Sequence, residues 1–110
     1  MIKLERGFNP SDRYKYDREL NYRNGWAQVD TKQDASYYGT WTSPKERKIF
    51  TYCEGDTCLT ECDTDQEYVE EMNKLVVWQR DAGYWKGIDA GFGPEMRERF
   101  KALGLEGLLH

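Results

Sequence analysis

Three cysteines, Cys53, Cys58 and Cys62, stand at the spacing C-x4-C-x3-C. A structural zinc site wants four ligands, usually in paired CxxC-like units. Here only a carboxylate or the distant His110 could complete the set, so no metal and no cofactor is expected. If Glu54 to Thr57 form a hairpin loop, Cys53 and Cys58 lie near each other across it, and a disulfide is geometrically possible. The plainer reading makes the cysteines small buried thiols on a sheet face under a helix. His110 is the only histidine, which removes most routes to acid–base chemistry near neutral pH. A nucleophilic thiol would lack a nearby base. Carboxylates are abundant, but none stands out from its helical or turn context as glycosidase-type chemistry would require. No catalytic residue is assigned, and the chain is expected not to be an enzyme.

Asp63-Thr64-Asp65-Gln66-Glu67 begins like a calcium loop, but the sixth and twelfth positions are Tyr68 and Lys74 instead of Gly and Glu, so the motif fails. Helix capping explains these acids better. They belong to a larger block: residues 49–72 hold eight acids and no Lys or Arg. Such a surface can imitate a phosphate backbone and steer toward a basic partner; the plainer reading is a solvated face. Arg13, Lys15, Arg18 and Arg23 interleave with Tyr14, Tyr16, Tyr22 and Trp26, a composition that suits single-stranded nucleic acid. Alternation, however, puts Lys15 and Arg23 on the face opposite the tyrosines. Tyr84, Trp85, Ile88 and Phe92 lie in a glycine-rich stretch, where exposed aromatics can anchor a protein partner. The glycines there do not have phosphate-binding spacing.

The elements that must position these residues follow from periodicity. The chain has 110 residues and a net charge of −4, the size of one ordinary domain and too acidic for a strongly basic nucleic-acid binder. Sixteen aromatics match 15 Ile, Val and Leu, so the core must be built largely from rings. Residues 14–23 alternate with period two and run into Asn24-Gly25, a strong hairpin signal, with 26–29 as the return strand; a helix over 12–23 capped by Ser11 is the competing reading. Residues 36–42, 49–53 and 58–62 read as further strands, with a tight turn at 54–57. The period then changes to helical over 65–81, capped by Thr64 or Asp63 and ended by Gly83. Residues 83–93 read as a loop, and Pro94 opens a second helix that Gly104 stops, with Leu105 folding back.

The expected fold is therefore one α+β domain, 1–110: an antiparallel meander of about five strands with two C-terminal helices packed on one face. No stretch is long and apolar enough for a membrane span, and residues 1–10 lack a signal-peptide core. A cytoplasmic protein is expected, in keeping with three cysteines.

Residues 25–41 (GWAQVDTKQDASYYGTW) and 50–56 (FTYCEGD), with Cys62-Asp63-Thr64-Asp65 and 85–92, resemble small uncharacterised proteins of bacterial, plasmid and phage genomes. The resemblance implies a prokaryotic or phage setting and action on a host machine; it carries no activity and no functional residues. The leading expectation is a non-catalytic protein–protein interaction module. Its contacts would come from Tyr84, Trp85, Phe92, Glu54, Asp56, Glu67, Glu70 and Glu71, in one form as an inhibitor of a nucleic-acid-handling host enzyme through the acidic surface. The alternative is a single-stranded nucleic-acid-binding module using Arg13, Lys15, Arg23 and Trp26. Exposed strand edges and surplus aromatics also allow a homodimer.

Overall fold

The periodic segments fold as their side chains dictate. The computed structural model describes residues 1–6, 25–32, 38–53, 56–89 and 93–110. The strand expected at 14–23, its rival helix and Asn24 lie outside them. Strands β1 (Lys3–Arg6), β2 (Ala27–Thr31), β3 (Tyr38–Ser43), β4 (Lys48–Cys53) and β5 (Asp56–Glu61) precede helix α1 (Asp65–Asp81), which is followed by β6 (Trp85–Ile88) and helix α2 (Pro94–Ala102). The six strands form one antiparallel sheet in the order β1-β5-β4-β3-β2-β6. The fold is α+β, a meander with two helices, the first of which lies between β5 and β6 instead of after every strand.

Two expectations need correction. Residues 85–88 are not loop: β6 pairs with β2, Val29 opposite Ile88 and Thr31 opposite Trp85, with an irregularity between Asp30 and Thr31. Four residues containing a glycine give too little alternation to announce a strand, and pairing along an existing edge supplies what propensity lacks. Nor does the turn expected at 54–57 include Asp56 and Thr57, which already belong to β5, opposite Cys53 and Tyr52; residues 54 and 55 lie outside the described residues. The sequence pattern carries no signal for β1. All four of its residues are exposed, and its register on β5 runs from Lys3 opposite Glu61 to Arg6 opposite Cys58. Charged side chains on such an edge discourage further pairing.

Alternation divides the sheet into two faces. On one, Ala27, Val29, Ile49 and Ile88 meet Tyr68 and Met72 of α1 and Met96 and Phe100 of α2 in a single buried cluster. On the other, Trp26, Trp41, Phe50, Tyr52 and Leu59 form a second buried cluster, dominated by rings; Phe50 and Tyr52 tilt against each other at 6.3 Å.

Helix α1 starts where the backbone finds an acceptor: the Thr64 hydroxyl accepts the Glu67 amide at 3.1 Å. Loss of this cap in Thr64→Ala is expected to lower stability by about 1 kcal/mol, read from urea denaturation. Tyr68, Met72, Val76 and Gln79 form the buried stripe of the helix. Both helices end on the same device. Tyr84 N–H reaches back to Gln79 and Gly83 N–H to Arg80; Leu105 N–H reaches back to Phe100 and Gly104 N–H to Lys101. Gly83 (φ +80°) and Gly104 (φ +76°) take the left-handed conformation this ending requires.

The turn between β3 and β4 is tied to the start of α1. Arg47 accepts the Cys62 amide at 2.9 Å through its carbonyl, and its guanidinium reaches Asp65 at 3.4 Å. Arg99 of α2 reaches the same carboxylate oxygen at 2.6 Å. One acid thus joins the N-terminal end of α1 to α2 and to a strand turn.

Candidate interaction surface

With Tyr68, Met72, Val76 and Gln79 turned inward, helical spacing sends Glu67, Glu70, Glu71, Lys74, Val77 and Trp78 outward. Val77 is 58% and Trp78 51% exposed. These two apolar side chains sit on a helix face that is otherwise polar or charged. Glu70, Asn73, Lys74, Val77 and Trp78 line an open groove of about 500 Å³. On its other side Trp78 joins Leu75 against the ends of β4 and β5, walling a second groove of about 330 Å³ with Arg6, Thr51, Cys53, Asp56, Thr57 and Cys58.

The acids expected to form a bare anionic surface are largely paired. The Met1 ammonium lies 2.8 Å from Asp63 and 3.0 Å from Glu67, and its hydrogen bonds hold both carboxyls below their ordinary values. Lys74 meets Glu71 at 3.2 Å. Glu61 lies 3.5 Å from Lys48 and 3.9 Å from Lys3. Glu70 accepts a hydrogen bond from Gln66 at 3.3 Å and has no cation within ion-pair distance among the described residues. Asp56 is exposed at the start of β5; Glu54 lies outside the described residues.

Asp65 carries a consequence for pH. The hydrogen bond from Arg99 holds its carboxyl below the ordinary 3.8, outweighing an opposing desolvation, with a lesser contribution from the Arg47 hydrogen bond. A carboxyl depressed in the folded state adds stability that is full above the unfolded value and is lost as pH falls through the folded one. Between about pH 5 and about pH 3 the wild type should therefore lose more melting temperature than Asp65→Asn does. Matched thermal melts check this, and parallel pH profiles would contradict it.

The aromatic pair expected as anchors lies elsewhere. Tyr84 and Trp85 are half-buried after the C-terminal end of α1, where Arg80 sits over the Trp85 ring at 5.8 Å. Seventeen helical residues extend about 25 Å, so Tyr84 and Trp85 are separated from Glu67 by the length of α1. Phe92 lies outside the described residues. The structure brings Glu70, not the aromatic pair, together with Trp78. Val77 and Trp78 are not among the expected site residues. Their signal was present: a Trp that the helical period places on the polar face.

For the nucleic-acid alternative, Arg13, Lys15 and Arg23 lie outside the described residues. Trp26 is only 2% exposed, which leaves no ring face for a base to stack on. The cysteines also depart from expectation. Only Cys62 is buried; Cys58 is half-buried and Cys53 exposed, and all three are free. Burial, with Glu71 and Glu67 nearby, pushes the Cys62 thiol up to about 11. Among the described residues no cluster of three or more His, Cys, Asp or Glu is arranged to hold a metal, and no helix is long and apolar enough to cross a membrane.

No family model, curated protein or solved structure matches the chain.

Proposed function

We propose that this chain is a small, non-catalytic protein–protein interaction module of the cytoplasm, whose contact surface is the outer face of α1. One observation carries the reading: Val77 and Trp78 stand exposed, side by side, on a helix whose opposite face is fully used by the core. A large exposed aromatic beside an apolar neighbour, rimmed by Glu70, Asn73 and Lys74, has the make-up of a binding hot spot. Glu70 beside it favours a partner that presents a cation next to an apolar pocket. In its finer form the partner is a host enzyme that handles nucleic acid, approached through Glu67, Glu70, Glu71 and Asp56, in the setting that the resemblance to bacterial and phage proteins implies.

The test is affinity capture from a bacterial lysate with the wild type and Trp78→Ala, each with and without nuclease. The reading expects one stoichiometric protein that survives nuclease and that Trp78→Ala binds at least about tenfold more weakly, with unchanged circular dichroism. Equal capture by both proteins would move the contact off this face. Partners lost on nuclease treatment would favour nucleic-acid binding instead. For the finer form, charge reversal at Glu67, Glu70 and Glu71 together should abolish the complex, and unchanged affinity would refute the acidic version alone.

A further inference from the structure

The second groove beside Trp78 holds two thiols that no step above uses. Cys53 ends β4 opposite Asp56, and Cys58 of β5 stands opposite Thr51. Side chains at alternate positions share a face, so Cys53 and Cys58 are diagonal neighbours on adjacent strands. Both line the same groove. Cys53 is exposed and Cys58 half-buried, which leaves a path for a small reagent. Arg6 stands opposite Cys58 on the other side and lines the groove too. Its guanidinium has no ion pair among the described residues and offers a carboxylate-bearing reagent a place to bind. Among the described residues Asp56 is the one acid on the groove wall.

We infer that Cys53 and Cys58 form a reversible redox pair, oxidised to an intramolecular disulfide by an anionic low-molecular-weight disulfide such as oxidised glutathione. The Cys53 thiolate attacks one sulfur of the reagent, forms a mixed disulfide and releases the first reagent thiolate. The Cys58 thiolate then attacks the Cys53 sulfur and releases the second. The two protein thiols lose two electrons, and the reagent disulfide gains them. The two protons given up by the cysteines end on the two released thiols.

Geometry sets the character of the bond. Diagonal residues of an antiparallel pair have Cα atoms about 7–8 Å apart and Cβ atoms somewhat closer. A disulfide prefers Cα atoms about 5.5–6 Å apart. The right-handed twist of a hairpin draws together the residue beside the turn and the one farther along the return strand, which is the relation of Cys53 to Cys58. Closing the remainder shifts the hairpin end and leaves a bond of the easily reduced, exposed kind. Cys62 takes no part: it is buried in the helix-side cluster. The inference does not depend on α1 carrying a partner.

The experiment uses the reduced full chain, incubated with oxidised glutathione, acid-quenched and read by intact mass and peptide mapping. The expected product is a monomer lighter by about 2 Da, with a cross-linked Cys53–Cys58 peptide and one titratable thiol left. Reduced glutathione in excess should restore all three thiols. Cys58→Ser should stop at a single glutathione adduct on Cys53. Because a disulfide quenches a nearby indole, oxidation should dim the tryptophan emission, and Trp78→Phe should remove most of that change. Separate glutathione adducts on both cysteines of the wild type, a cross-link to Cys62, an intermolecular dimer, or three unreacted thiols would each overturn the inference.

Discussion

Truncating Phe100 to alanine should cost about 3–5 kcal/mol of stability. The ring is fully buried and, with Met96, brings α2 into the helix-side cluster with Ile88, Val29 and Tyr68. Removing it takes away both its burial and the contacts of the side chains around it. Strands lie beneath and α1 alongside, so the cavity has little room to collapse. A domain of this size has about 5–15 kcal/mol in total, and the variant would stand near its folding limit. Urea titration is the measurement, with Val77→Ala as the comparison. Val77 is 58% exposed, and its truncation should change stability by no more than about 0.5 kcal/mol. A loss below about 1 kcal/mol for Phe100→Ala would mean that α2 contributes little to the core.

The second large effect is polar. Thr42 and Tyr68 are both buried, and their hydroxyls are hydrogen-bonded to each other. The Thr42 hydroxyl also lies 3.1 Å from the Lys48 carbonyl. A carbonyl can only accept, so Thr42 donates to Lys48 and accepts from the Tyr68 phenol. Burial pushes that phenol well above its ordinary value, which keeps the proton needed for donation. Thr42→Val preserves shape but strands a buried phenol and removes the side-chain hydrogen bond to the Lys48 carbonyl, for about 1–3 kcal/mol. Tyr68→Phe leaves the Thr42 bond to Lys48 intact and should cost less. The double variant should cost less than the sum, because once the phenol is absent the lost threonine oxygen no longer strands it. Strict additivity in the denaturation midpoints would contradict the shared bond.

How far the sequence announced this molecule depends on where its information lay. Helix α1 was legible because Tyr68, Met72, Val76 and Gln79 repeat at helical spacing and Thr64 and Gly83 bracket them. The two hairpins that join β3, β4 and β5 were legible because alternation and turn residues are local signals. Strands β1 and β6 were not: each is four residues long and exists through a partner remote in sequence. The cysteines were placed on the correct face. Cys53 and Cys58 are less buried than expected because only Leu75 and Trp78 of α1 reach the ends of β4 and β5 where they sit. The pairing within the acidic block was hidden for a related reason. Its cations, Arg99 for Asp65 and the Met1 ammonium for Glu67, are 34 and 66 residues away along the chain. No local count of charge finds them.

The strand order has a kinetic corollary. In β1-β5-β4-β3-β2-β6 the middle strands are joined by short turns, while both margins are sealed by strands from far along the chain. Loop closure makes distant pairings slow to form. The β3–β4–β5 hairpins should consolidate early, with β1 and β6 arriving as late closures on opposite sides. Amide protons of β4 should then exchange through global opening, and those of the two margins through smaller, independent openings.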